Sequence, residues 1–161
     1  MKYQKELDDA AELKEEITRA FKRLSKKKHH KVDEVFHELH DEVFEEIDCL
    51  SCGNCCKTTS PIFRQVDVKR ISKKMKMSEA TFEKQYLRKD EDGDWVLQTA
   101  PCSFLHDDNS CGIYEYRPQA CREYPHTDRK RMISILPLTL RNVEICPAVA
   151  KIVIQIPEKF I

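Results

Sequence analysis

Glycine is almost missing from this chain: three residues in 161. Loops that cradle phosphates need several glycines at fixed spacing, and neither a G-x-G-x-x-G nor a Walker sequence occurs. Nothing resembles a SAM-binding glycine loop, so nucleotide-dependent chemistry and methyl transfer by this chain alone are not expected. An HExxH pair and a nucleophile elbow are absent too. No stretch reaches the roughly 18 apolar residues of a membrane helix. The N-terminal Met-Lys-Tyr-Gln-Lys-Glu-Leu-Asp-Asp has no apolar core region of the kind a secretory signal carries. An excess of one charge is also lacking: Lys+Arg and Asp+Glu are both 28, so bulk charge gives no sign of nucleic-acid or membrane-surface binding. These absences predict a soluble, cytoplasmic protein with neither nucleic acid nor membrane as partner.

What the chain has is cysteine. Cys49, Cys52, Cys55 and Cys56 fall within eight residues, and Cys102, Cys111, Cys121 and Cys146 follow. A C-x-x-C step closes a tight turn and lets two sulfurs converge on one ion. In a reducing compartment clustered thiols bind metal or do redox chemistry more often than they form disulfides. Eight in 161 is about 5%, below the roughly 8–10% of disulfide scaffolds. Thiolate is a soft ligand, which points to zinc, an iron–sulfur cluster or Cu(I) rather than magnesium or calcium. The neighbours Cys55 and Cys56 are expected to point in different directions. One would complete a set with Cys49 and Cys52, and the other would face a second site or a bridged metal. Eight thiols suffice for two four-thiolate sites, or for one iron–sulfur cluster with a separate zinc site or dithiol. All eight are therefore candidate metal ligands. Gly53, inside the string, is expected to take a left-handed backbone angle that turns its amide toward a sulfur.

The spacing of apolar residues predicts helices over residues 1–48. Leu7, Ala10, Leu13, Ile17, Ala20, Phe21 and Leu24 form one stripe, and Val32, Val35, Phe36, Leu39, Val43, Phe44 and Ile47 a second. The basic run at 25–31 connects them. Further on, Val66 to Met75 and Glu79 to Leu87 read as short helices, the second capped by Ser78. Asp90 to Asp94 reads as a turn, Trp95 to Thr99 as a strand, and Pro118 as the opening of a helical turn through Cys121. Met132 to Leu136 and Leu138 to Leu140 read as short strands, and Ala148 to Ile154 as a closing helix. The expected fold is α+β: a small, metal-stabilised, loop-rich domain over 49–161, preceded by an N-terminal α-helical hairpin over 1–48.

Three strings carry a family resemblance: Cys-x-x-Cys-Gly-x-Cys-Cys, then Pro-Cys-Ser-Phe-Leu, then Cys-Gly-Ile-Tyr-Glu-x-Arg-Pro-x-x-Cys-Arg-x-Tyr-Pro. Together they resemble the YkgJ-type cysteine-cluster family, whose domain is described as zinc- or iron-chelating. The resemblance covers roughly Cys49 to Cys146. It implies that Cys49, Cys52, Cys55, Cys56, Cys102, Cys111 and Cys121 are the family's cysteines, with Cys146 resembling a late cysteine of many members. Tyr124 stands where the family often has Phe.

Residues around the later cysteines are weighed separately. Arg117, Arg122 and Glu123 flank Cys121, and an Arg offsets the negative charge of a thiolate site. His106 and His126 lie near the later cysteines, and His37 and His40 sit three apart on one helix; ordinary loop and surface roles explain all four better than ligation does. The leading expectation is a cysteine-ligated metalloprotein, holding zinc or an iron–sulfur cluster, whose metal is at least partly structural because thiolate ligation couples to folding. The N-terminal helices would offer a surface for a protein partner or self-association. Two alternatives stand beside it: a redox or metal-dependent enzyme using an open metal position or free thiols, and a metal storage or delivery protein. No reaction is legible.

Overall fold

A computed structural model describes residues 1–160. In chain order the helices and strands are α1 (Gln4–Glu12), α2 (Lys14–Leu24), α3 (His29–Glu46), α4 (Cys49–Cys52), α5 (Asn54–Thr58), α6 (Gln65–Lys74), α7 (Glu79–Tyr86), β1 (Leu87–Lys89), β2 (Trp95–Leu97), α8 (Gln119–Glu123), α9 (Leu136–Val143), α10 (Pro147–Val153) and α11 (Ile156–Lys159). The structure is mainly helical, with one two-stranded antiparallel sheet among the described residues, as an α+β class requires. No described helix is long and apolar enough to cross a membrane.

The chain divides into two compact units: Met1–Cys52 together with the chain from Pro125 onward, and Gly53–Tyr124. In the first unit, α10 packs against α1, α3 and α9, and α11 against α2. The predicted stripes supply its core: Ala10, Ile17, Ala20, Phe21 and Leu24 from α1 and α2, and Val32, Phe36, Leu39 and Val43 from α3, all buried. Phe21 and Phe36 meet edge to face at 6.3 Å between centroids, a favoured aromatic arrangement. Ala148, Val149, Ala150, Ile152 and Val153 bury most of α10. Each large aliphatic or aromatic side chain here contributes about 1.5–3 kcal/mol through burial. Leu13 belongs to the first stripe by spacing but lies 39% exposed, at the break between α1 and α2.

The strands expected between Met132 and Leu140 are helical instead. Met132–Ile135 forms a 3-10 turn, and α9 follows with Pro137 in its first turn, where a missing N–H costs nothing. The turn is held from α3: Asp33 accepts hydrogen bonds from the backbone N–H groups of Arg131 and Met132, both at 2.8 Å. That tertiary cap outweighs the β preference of Ile133 and Ile135.

The second unit has a smaller core of Phe63, Val68, Ile71, Phe82, Leu87, Leu97, Phe104 and Ile113. Phe82 stacks on Phe104 at 6.2 Å and tilts against Tyr86 at 5.2 Å. Ser78 caps α7 as its position predicts, accepting from the Thr81 N–H at 3.1 Å. β1 pairs with β2 in the register Leu87 with Leu97 and Lys89 with Trp95, across the turn at Asp90 to Asp94.

Candidate metal centre

The cysteine string is shared between the two units, three of the eight thiols falling in the first and five in the second.

In the first unit, α3 ends at Glu46 and the chain turns extended at Ile47. Asp48 then starts the single turn of α4. Its carboxylate accepts from the Leu50 N–H at 3.0 Å, and its carbonyl accepts from the amides of Ser51 and Cys52. The Tyr3 hydroxyl accepts from the Asp48 N–H at 3.2 Å, tying this turn to the N-terminus. Cys49 is exposed and Cys52 buried. Cys146, also buried, precedes Pro147 at the start of α10. Burial pushes the Cys146 thiol up to about 12; the amides of Val149 and Ala148 oppose this, while the charges of Cys49 and Cys52 add to it. These three thiols therefore sit within electrostatic reach of one another.

In the second unit, Gly53 adopts the expected left-handed conformation (φ 60°) and begins α5. A Cβ at this position would lie 3.1 Å from the Asn109 side chain, so both backbone and space favour glycine. Cys55 and Cys56 follow on α5, about 100° apart around the helix. They are nevertheless joined: a side-chain hydrogen bond from Cys55 is the main reason the Cys56 thiol falls to about 7, against the upward push of burial. The Cys56 carbonyl accepts from the Cys102 N–H at 2.7 Å, which brings the Pro101-Cys102 segment onto α5.

From Cys102 the chain makes a narrow loop. Leu105 and Cys111 form an antiparallel bridge, and the Gly112 N–H donates to the Phe104 carbonyl at 2.8 Å. Burial raises the Cys102 and Cys111 thiols above their ordinary value; the amides of Phe104 and Leu105 lean on Cys102, and that of Ile113 on Cys111, in the other direction. Such N–H···S contacts favour thiolate and tune a bound metal. Cys121 lies on α8. Burial first, then the charges of Cys56, Cys102 and Cys111, drive it up to about 12, with Arg117 opposing. Four thiols from three separated stretches thus lie within electrostatic reach of one another: Cys56, Cys102, Cys111 and Cys121. A metal-free set of this kind is electrostatically unfavourable as thiolates, and a divalent cation offsets that repulsion.

Arg117 stands beside these thiols electrostatically. Its guanidinium stacks on the Tyr114 ring at 3.9 Å and donates to the Tyr114 carbonyl at 2.6 Å, while its charge lowers the thiols of both Cys111 and Cys121. The histidines serve the framework. His37 Nε2 is 2.8 Å from the Arg129 carbonyl, and His40 Nδ1 is 2.7 Å from the Thr127 hydroxyl. His106 Nδ1 lies 3.1 Å from the Ser110 hydroxyl.

One pair of residues was missed in the sequence. Val66 reads as an apolar anchor of α6 but is 57% exposed, whereas Asp67 beside it is fully buried. Asp67 binds Arg70 at 2.8 Å, and the two together hold the backbone between Cys111 and Cys121. The spacing Asp-x-x-Arg on a helix was the available signal.

Among the described residues, no three or more His, Cys, Asp or Glu side chains are grouped closely enough to hold a metal ion. The thiols lie within electrostatic reach of one another rather than in a finished shell. Their chemistry fits zinc or iron: soft thiolate donors, backed by amides and an arginine. No curated protein and no solved structure is matched by the chain. A family model does match, over residues 48–144, and that span contains every cysteine except Cys146. The chain belongs to the CxxCxxCC family, described as a "Putative zinc- or iron-chelating domain".

Proposed function

We propose that this protein holds zinc or an iron–sulfur cluster on cysteine thiolates, and that the metal is structural at least in the Gly53–Tyr124 unit. The observation that carries this reading is the mutual electrostatic reach of Cys56, Cys102, Cys111 and Cys121, which come from α5, the loop after Pro101, and α8. Metal ligation would tie together three stretches that have little regular structure of their own. Binding energy at such a site is folding energy. Cys55 supports the set through its hydrogen bond to Cys56. Cys49, Cys52 and Cys146 form the second group of ligands, so that all eight thiols serve metal binding.

The exposed Cys49 favours a second reading for that three-thiol group, a site with an open position of the kind catalytic metals use. Purification without oxygen, followed by elemental analysis and a visible spectrum, separates the readings. Brown protein with stoichiometric iron identifies a cluster, and colourless protein with stoichiometric zinc a zinc site. Replacing Cys102 and Cys121 by Ser should remove the metal equivalent of the second unit. A folded, metal-free protein with its thiols paired as disulfides would sink the proposal.

A further inference from the structure

The Asp67–Arg70 pair ties α6 to a separate stretch of backbone in the second unit, beyond what capping its own helix requires. Asp67 is completely buried. Its Oδ2 accepts from the Arg64 N–H at 3.0 Å, closing the first turn of α6. Its Oδ1 accepts from Arg70 Nη2 at 2.8 Å and from the Gln119 N–H at 3.2 Å. Arg70 continues the chain of contacts: Nη2 donates to the Arg117 carbonyl at 2.8 Å, and Nε to the Tyr116 carbonyl at 3.3 Å. Two side chains of one helix thus fix three backbone groups within Tyr116 to Gln119. Pro118, buried between them, adds its fixed φ and opens α8.

That stretch is the link between two of those four thiols. Cys111 lies five residues before Tyr116, and Cys121 two residues after Gln119. A short helix of five residues does not hold its own orientation in water. It needs an external anchor, and the buried Asp67 carboxylate with the part-exposed Arg70 guanidinium provides one. Only a planar fork reaches an acid and two carbonyls at once; an ammonium is a point charge without that geometry.

Resting on the metal reading above, we infer that Asp67 and Arg70 are positioning residues for the second-unit metal site: they set where Cys121 stands relative to Cys111, and through that the site's affinity. Neither residue touches the metal. Groups that orient ligands from outside the coordination shell are worth roughly 10–100-fold in metal affinity.

The test is metal affinity by chelator competition, with cobalt(II) substituted to read the thiolate charge-transfer band, on the full chain. Arg70→Lys keeps the charge and loses the fork. It should keep its far-UV circular dichroism, bind about tenfold more weakly, and show a weakened or shifted cobalt band. The double variant Asp67→Leu with Arg70→Met removes both charges together, so that neither is left buried and unpaired. It too should fold and bind more weakly. Wild-type affinity and an unchanged band in either folded variant would overturn the positioning role while leaving the metal site standing. A wild-type chain that takes up no metal on Cys102 and Cys121 would overturn the site and the role together.

Discussion

The unit built from Met1–Cys52 and the chain after Pro125 buries Ile17, Leu24, Phe36, Leu39 and Ile152 on helices of up to 18 residues. The Gly53–Tyr124 unit has a core of eight buried hydrophobics, and its cysteine-bearing helix α8 is five residues long. The first unit has long amphipathic faces that meet one another, and packing explains its shape. The second has loops fixed by a handful of hydrogen bonds and by the buried Asp67 carboxylate paired with Arg70, with five thiols among them. Helices this short are marginal without tertiary support. The contrast teaches that, on the proposed reading, a metal would support the two units unevenly: the cysteine-rich unit is the one with least else to hold it.

Removing the metal is therefore the strongest way to break the comparison. Chelation of anaerobically purified protein should strip hydrogen-exchange protection from α5, from the Cys102–Ile113 loop and from α8. The amides of α3 and α10 should keep theirs, because Phe36, Leu39, Val149 and Ile152 stay buried without it. Equal loss in both units would mean that the metal supports the whole chain. No loss in either would mean that the site is not structural.

A smaller effect concerns the thiols themselves in the metal-free chain. With its pKa lowered to about 7, Cys56 is about half thiolate at neutral pH. Cys146, pushed up to about 12, is ionised in roughly one molecule in 10⁵ at that pH and is buried as well. Alkylation followed by mass spectrometry should mark Cys56 first and Cys146 last, with Cys56 labelling rising steeply through pH 7. Cys55→Ser weakens the hydrogen bond that stabilises the Cys56 thiolate, and should slow that labelling and shift its rise to higher pH. Equal rates at Cys56 and Cys146 would erase the difference between the units.

How much of this was legible follows the same division. The stripes through Ile17, Phe21 and Leu24 and through Phe36, Leu39 and Val43 were plain, because helical burial repeats every 3.6 residues. Gly53 and Ser78 were legible because a left-handed turn and an N-cap demand particular residues. The helical character of Met132 to Leu140 was not legible from local preference, since the Asp33 carboxylate that holds it is about 100 residues away. Asp67 was invisible to any hydrophobic pattern: a carboxylate at a core position makes sense only once Arg70 and the Gln119 amide are beside it. For the candidate metal centre the cysteine-rich strings of the family were legible, and the grouping of the thiols was not. Spacing suggested that Cys55 and Cys56 diverge but not that a hydrogen bond links them, and the thiols that act electrostatically on Cys56 come from segments 46 to 65 residues away.

The smallest effect belongs to the first unit alone and tests whether its stability is free of the thiols. His40, on α3, is lowered in pKa chiefly by burial and also by His37; Asp128 and Asp41 pull the other way without prevailing. Its ring lies 4.5 Å from that of Phe44, its Nδ1 is bonded to Thr127, and its Nε2 is 3.9 Å from Asp128. Because the native value lies below the unfolded value of about 6.5, the unfolded chain holds more protons in the window between them. Stability is full above that window and is lost as pH falls through the lowered native value. Urea titrations followed by amide exchange in α3 should show this slope. His40→Gln should flatten it, and Asp128→Asn, which removes a charge favouring the imidazolium, should steepen it. An unchanged slope in His40→Gln would show that the acid sensitivity of this unit has another source, with Cys49, Cys52 and Cys146 the groups to examine next.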